Sequence, residues 1–352
     1  MLRKKKTLPV RTRIFLYKGR TGTIIDRTAL FEAEERKCQM DNFIFSVNAT
    51  MPVFLTMVLG MFFKRIGLFD DTFVSRINKF VFTAALPALL FRDLSGVDFT
   101  AVWDGKMVGF CFLVTIVCIL VSIGISCFVD KKIQGEFIQA SYRSSAAILG
   151  IAFIQNIYGT TELTSLMVIA CVPMYNAMAV VVLSLFKPDR GKLDGKLIRK
   201  TAKGIITNPI ILGIAAGTAW SLLRLPQPVI MEKTIENLSV LATPLGLMAM
   251  GGSIQLKQAF SRPGTTAVSV AMKLCGYVII FLPIAVHMGF TTEKLVAILI
   301  MLGSSTTVSS FVMARNMGHD GQFTSGVVMM TTLLSALTLT AELFILRSMG
   351  LI

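Results

Sequence analysis

Long apolar blocks alternate with short polar connectors along the chain, and the block length matches the thickness of a bilayer. Ten blocks stand out, at about 43–63, 72–94, 105–128, 138–157, 163–186, 201–222, 233–254, 265–289, 293–313 and 322–346. Each is close to the roughly 17 to 25 residues that a helix needs to cross hydrocarbon. A helix satisfies its backbone hydrogen bonds within one segment, as lipid requires. The pattern therefore predicts an all-α polytopic membrane protein of ten transmembrane helices. The longest charged connector, Lys187 to Lys203, divides the blocks five and five.

Two of the blocks are interrupted by polar residues. In the ninth, Gly303-Ser304-Ser305-Thr306-Thr307-Val308-Ser309-Ser310 contains only one residue that is not glycine, serine or threonine. The fourth carries Ser141-Tyr142-Arg143-Ser144-Ser145-Ala146-Ala147-Ile148-Leu149-Gly150. Polar or irregular backbone at membrane depth is tolerated where protein buries it or it lines a cavity. Small residues also let helices pack closely, and hydroxyls can bond back onto their own helix. One such run reads either way; two at corresponding places favour a binding site.

The correspondence comes from an internal repeat. At an offset of 157 residues Pro52 falls on Pro209, Gly60 on Gly217 and Pro87 on Pro244. Around them Met51-Pro52-Val53-Phe54-Leu55 overlays Asn208-Pro209-Ile210-Ile211-Leu212, and Ala84 to Leu90 overlays Leu241 to Leu247. Five helices per repeat is an odd number, so the second repeat must enter the membrane in the opposite sense. Carriers with inverted repeats place substrate near the midplane, between discontinuous helices. Residues 40–186 are then one repeat, 187–200 a central loop and 201–352 the other. Spans four and nine are the ones expected to break and cross.

Composition narrows the class. Only 16% of the 352 residues are charged and 54% are apolar, whereas soluble domains carry about a quarter charged residues. The net charge of +15 is concentrated, with 11 of 35 Lys and Arg before Met40 and seven from Lys187 to Lys203. In a membrane protein such clusters report topology before any nucleic acid. With the central loop cytoplasmic, its side holds sixteen basic loop residues against six on the other, tail excluded. Both termini then lie outside. The basic stretch 1–39 contradicts that placement and reads as a disordered tail or a misassigned start, with Met40 directly before the first span. It has no secretory apolar core, and Glu32, Glu34 and Glu35 argue against a transit peptide.

Candidate chemistry is sparse. The six cysteines form no CxxC or Cys/His group, and only His287 and His319 are present, so no metal site or cofactor is expected. No HExxH motif or pair of intramembrane aspartates appears, which disfavours an intramembrane hydrolase, the alternative from another class. Freed amides and helix ends at the breaks suit an anion. The substrate-binding candidates are Ser144, Ser145, Asn176, Ser304, Ser305 and Thr306. Arg143 reads as a fixed charge or as a side chain snorkelling to the headgroups. Asn176 reads as a cavity residue or as an interhelical hydrogen bond. Pro87, Pro244, Gly150 and Gly303 are candidate kink or break positions. Intramembrane ionisable residues default to functional hypotheses; Lys273 is expected to be an internal charge partner and Glu342 to be interfacial.

The residues resemble the auxin efflux carrier family in its bacterial, malate-permease-like branch, from Met40 to Ile352. The signatures are Val172-Pro173-Met174-Tyr175-Asn176-Ala177-Met178-Ala179-Val180, Thr207-Asn208-Pro209-Ile210, and Ala242-Thr243-Pro244-Leu245 through Gly251-Gly252-Ser253. Tyr142-Arg143-Ser144-Ser145 and Val308-Ser309-Ser310-Phe311 are similar to the crossing spans of that family. The resemblance implies that one bundle is a scaffold while the other carries an organic anion by alternating access, a carboxylate such as malate or an auxin-like acid. It adds Tyr175 and Asp104 as supporting residues, Asp104 from the plant relatives. The family often has asparagine at Ser145 and proline near Ala152 and Ser305, positions that differ here. The expected partners are the substrate and the bilayer, without nucleic acid, in the cell inner membrane. A homodimer, coupling to H+ or Na+, and a sodium-coupled carrier like the bile-acid symporters stay open.

Overall fold

The computed structural model describes residues 17–18, 24–25, 44, 51–96, 104–146, 154, 162–188 and 195–352. The chain divides into two units, Met1–Phe45 and Ser46–Ile352. In the first, β1 (Tyr17–Lys18) pairs antiparallel with β2 (Ile24–Ile25); the rest of the expected tail lies outside the described residues.

The second unit is helical throughout its regular structure. Its first half holds α1 (51–65), α2 (Asp71–Ser95), α3 (Gly105–Ser126), α4 (Gln134–Tyr142) and α5 (Glu162–Leu185). Next come α6 (Gly195–Ile206), α7 (Pro209–Leu222), α8 (Val229–Val240), α9 (Ala242–Ser253) and the short α10 (Leu256–Ala259). Last come α11 (Pro263–His287), α12 (Thr292–Gly303), α13 (Ser309–Asn316) and α14 (Gln322–Ser348). Helix α6 starts ahead of the expected sixth block, and the bend at Thr207-Asn208 separates it from α7.

Short polar side chains set several helix starts. Asp70 accepts from the Phe73 amide, Asp104 from the Lys106 and Met107 amides, and Asn208 from the Ile210 amide. Each satisfies a donor that the first turn leaves open. Pro87 cannot donate to the Thr83 carbonyl, and a wide π-turn at Val81–Ala85 takes up the misfit, with the Leu86 amide reaching back to Val81. Three residues before Pro244, Leu241 interrupts the path from α8 to α9. Both prolines thus sit beside interrupted helix geometry.

Among the described residues, four helices are long and apolar enough to cross a membrane: α2, α3, α11 and α14. Helix α12 is about 18 Å long at 1.5 Å per residue, too short to cross alone. Every residue from Leu295 to Gly303 is buried, as is every residue from Gly135 to Tyr142. Helices α4 and α12 are therefore core helices wrapped by protein, and lipid hydropathy does not set their length.

The helices pack in two groups. One contains α2, α7, α8 and α9; the other contains α3, α4, α5, α11, α12 and α14, and α13 touches both. Glycines bring backbones together in the first group and onto α1. A Cβ at Gly60 would lie 2.3 Å from the Met248 carbonyl oxygen, and one at Gly217 would lie 2.9 Å from the Phe91 backbone. Gly60 and Gly217 are 157 positions apart, as are Phe91 and Met248. The α1–α9 and α7–α2 contacts use positions related by one offset.

Candidate functional site

Where α4 and α12 end, their chains leave helical geometry and meet. Helix α4 stops at Tyr142, Arg143 is extended, and Ser144 and Ser145 are outside regular structure; α12 stops at Gly303, and 304–308 run irregularly into α13. The Ser145 amide donates to the Ser305 carbonyl at 2.9 Å. The Ser144 and Ser304 hydroxyls share a hydrogen bond, and Ser144 also reaches the Ile300 carbonyl at 3.4 Å.

A helix end leaves backbone groups that need partners, and here the two segments supply them to each other. The Thr306 hydroxyl donates to the Ala140 carbonyl at 2.8 Å, and the Gln139 amide donates to the Ser310 carbonyl at 2.9 Å. Thr331 of α14 accepts from the Thr306 amide at 3.1 Å. The hydroxyl-rich sequence thus supplies hydrogen-bond partners to two broken backbones deep in the protein.

Each broken end is met by a buried cation, as the partial negative charge of a helix C-terminus favours. Arg143 follows α4 directly and is 1% exposed. One of its terminal nitrogens donates to Asn176 Oδ1 at 2.8 Å and to Ser309 Oγ at 2.7 Å. The other faces Gln139 Oε1 at 3.4 Å and the Met313 sulfur at 3.1 Å. Its Nε is buried without a hydrogen-bond partner, and among the described residues no carboxylate pairs with it. At the end of α12, Lys273 donates to the Leu302 carbonyl and is fully buried.

Arg143 lies on the wall of a cavity of about 90 Å³ between the two helix groups. Val53 of α1, Leu86, Leu90 and Asp93 of α2, and Ala242 and Thr243 of α9 form one side of its lining. Arg143, Ser144, Ser145, Tyr175, Asn176 and Ser305 to Ser309 come from the broken segments, α5 and α13. Asp93 is the carboxylate residue of the lining, and Arg92 holds it at 2.9 Å while also donating to Ser239. The cavity therefore offers one cation without an anionic partner, several hydroxyls and an apolar wall. That set can take up a small anion with an apolar part.

Of the sequence candidates, Ser144, Ser145, Asn176, Ser305, Thr306, Arg143 and Tyr175 line this cavity. Ser304 is outside the lining, its hydroxyl engaged with Ser144. Asn176 both contacts Arg143 and bonds back to the Val172 carbonyl at 2.9 Å. Arg143 does not snorkel; it is enclosed by protein. Asp104 is not part of the cavity lining. It pairs with Lys294 at 2.6 Å and ties the head of α3 to α12, and that hydrogen bond holds its carboxyl below the usual carboxylate range. Glu342 is not interfacial: a Cβ on Gly303 would lie 2.9 Å from its Oε2, so the carboxyl turns inward against the end of α12. Lys273 is inside, as expected, but is not on the cavity wall. Gly150 lies outside the described residues.

Sequence reasoning missed Glu136, Gln139, Ser309 and Asp93. Glu136 is fully buried and accepts from the Gly321 and Thr324 amides and the Thr324 hydroxyl, each at 2.9 Å. Its carboxylate thus closes the N-terminus of α14, where a helix favours negative charge. No local signal marks it, because its partners stand more than 180 positions away. Gln139 and Ser309 could have been found from helical spacing, each one turn or one short run from Arg143 and Ser305.

Comparison with known proteins agrees with these features. The family model described as membrane transport protein matches residues 45–342. The chain is similar to a putative malonate transporter of Rhizobium meliloti (strain 1021), 23% identical over 85% of this chain and 95% of that protein. It is also similar to the uncharacterized transporter YfdV of Escherichia coli (strain K12), 26% identical over 58% of this chain and 69% of that one. The relatives are transporters, not enzymes. The chain belongs to the membrane transport protein family, which is the auxin efflux carrier family that its motifs resemble.

Proposed function

We propose that the protein is a secondary carrier for a small organic anion, a carboxylate of the size of malonate, malate or an auxin-like acid. The observation that carries this is Arg143, a buried guanidinium on the cavity wall with an open Nε and no carboxylate partner among the described residues. Burying an ion unpaired costs several kcal/mol, about what a bound carboxylate returns by forming a bidentate pair with arginine. Ser145, Ser305 and Thr306 lie on the same wall to orient the acid. The name of the Rhizobium relative supports a dicarboxylate of three carbons as the first to test.

The reading includes ten membrane passages in two inverted repeats. Among the described residues, helices fall within each of the ten expected blocks, which supports that count; most of 147–161, which includes the second part of block four, lies outside the described residues. The glycine contacts at one offset support the repeat, and the Ser144–Ser304 and Ser145–Ser305 contacts, 160 positions apart, join the two broken segments. Alternating access follows from a cavity between two helix groups: sliding the group that holds the crossing against α1, α2, α7 and α9 would move Arg143 and its ligand together. The central loop is then cytoplasmic and both termini lie outside the inner membrane.

The test is exchange of labelled malonate, malate and indole acids across proteoliposomes, with and without sodium. Saturable exchange of one acid, accelerated by unlabelled acid on the far side, is the expected result. Strict sodium dependence would point to a sodium-coupled carrier, and exchange of neutral or cationic solutes alone would reject the anion.

A further inference from the structure

Behind the second break, away from the cavity, lies a pair of ionisable residues that anion recognition does not use. Lys273 is carried by a wide π-turn, Met272–Gly276, inside α11. Its ammonium reaches the Leu302 carbonyl, one residue before the end of α12. Glu342 of α14 approaches the same end from the other side, and its Oε2 is buried with no hydrogen-bond partner. The two side chains form no ion pair, since none is found at 4.0 Å or less. A carboxyl oxygen next to a helix C-terminus, with a lysine bonded to that helix and not to the carboxyl, is an arrangement that ionised glutamate would not choose.

The depth of the site adds to this. The Thr292 amide bonds to the Leu351 carbonyl at 3.0 Å, so α12 and α14 share a level there. At 1.5 Å per residue, Gly303 is then about 16 Å inward along α12, and the Glu342 carboxyl lies against it. The pair is near the middle of a passage, where an ionisable side chain is expensive and usually functional. Carriers with inverted repeats hold their coupling cations at half-helix C-termini, and in this chain a tethered ammonium occupies such a position. Among the described residues, Lys273 and Cys275 of α11 are the titratable groups that face Glu342, and α12 presents backbone at Gly303.

We propose that Glu342 is a proton-binding site and that Lys273 transmits its charge state to the second break. A proton taken up becomes the O–H of the Glu342 carboxyl, and Lys273 stays an ammonium on the Leu302 carbonyl, the arrangement of this structure. Loss of the proton leaves a carboxylate that attracts the ammonium through a medium of low dielectric. Lys273 then leaves Leu302, and the end of α12, next to Ser304 and Ser305, loses its cation. Proton binding is in this way linked to the backbone that lines the anion site. Coupling to transport rests on the carrier reading; the proton site does not.

Infrared difference spectra of the lipid-reconstituted protein between mildly acidic and mildly alkaline pH test the site without a substrate. A carboxylic-acid C=O band that titrates, disappears in Glu342→Gln and shifts in Lys273→Met is expected. Hydrogen exchange of 301–310, corrected for intrinsic rates, is expected to rise at alkaline pH in wild type and to show no step in Glu342→Gln. A titrating band retained in Glu342→Gln, or lost instead in Asp93→Asn, would overturn the proposal, as would exchange that steps equally in both proteins. Should Glu342→Gln not fold, an unshifted band in Lys273→Met is the contradicting result.

Discussion

At the end of α4 the half-helix is met by Arg143, whose guanidinium also faces the cavity; at the end of α12 it is met by Lys273, which faces Glu342 and lies off the cavity. The two ends share one electrostatic setting, a helix C-terminus whose partial negative charge favours a cation. They differ in what surrounds the cation. Arg143 touches only neutral groups, has a buried Nε without a partner and lines the cavity, the arrangement on which the proposed anion recognition rests. Lys273 is bonded to backbone and has a carboxyl close by, so its partner is internal. Two similar helix ends can therefore differ in role, recognition at one and control at the other in the proposed account.

Replacing each cation by methionine should break the comparison most sharply. A buried charge exchanged for an apolar side chain of similar size is often neutral or stabilising. Arg143→Met is accordingly expected to keep or raise the melting temperature while weakening carboxylate binding by about 2 to 5 kcal/mol, the usual cost of losing one member of a buried charged pair. Titration calorimetry checks the affinity and scanning calorimetry the stability. Lys273→Met is expected to leave carboxylate affinity in alkaline buffer within a few-fold of wild type, because it is not on the wall.

The glycine contacts come next. Gly60→Ala and Gly217→Ala should each destabilise by about 1 to 3 kcal/mol, since the added methyl meets backbone that cannot move freely. Gly60 is the tighter site, 2.3 Å against 2.9 Å, and should show the larger loss in thermal denaturation. Gly109→Ala, where a Cβ meets nothing within 4 Å, is the control. Asn176→Ala removes an acceptor from Arg143 and is expected to cost about 1 kcal/mol of stability, with weaker binding because the guanidinium is less well aimed.

The smallest effect belongs to Asp104 and Lys294. The pair is partly exposed, and Lys294→Ala should cost about 0.2 to 1 kcal/mol. Because Lys294 lowers the Asp104 carboxyl in the folded protein, the contribution is present above the unfolded carboxylate range, about pH 4, and is lost as pH falls through the lower folded value. Denaturation of wild type and Lys294→Ala should therefore converge in strong acid. A large effect on binding would instead return Asp104 to the substrate site.

The helices were legible because lipid and core alike demand apolar blocks, and the breaks were legible because Gly303 and the serine and threonine runs interrupt those blocks. That spans four and nine would carry the polar runs was expected from the sequence; which serines meet, Ser144 with Ser304, was not. Side-chain direction was not legible. Whether Arg143 reaches a headgroup or a cavity depends on which face of α4 the protein covers, and all of that helix from Gly135 on is covered. Glu342 stands near the end of its block, which suggested an interface, but the antiparallel run of α12 places Gly303 at its level. Asp104 sits at a helix start, where its side chain is already committed to the Lys106 and Met107 amides.

The measurement that bears most directly on the central claim is thermal stabilisation of the purified protein by a panel of mono- and dicarboxylates and their neutral amides, in wild type and in folded Arg143→Met. Ligand bound to the folded state raises apparent stability by mass action. The account predicts a rise with at least one carboxylate, none with its amide, and no rise with either in Arg143→Met. Equal stabilisation of both proteins by the acid, or of wild type by the amides alone, would contradict it.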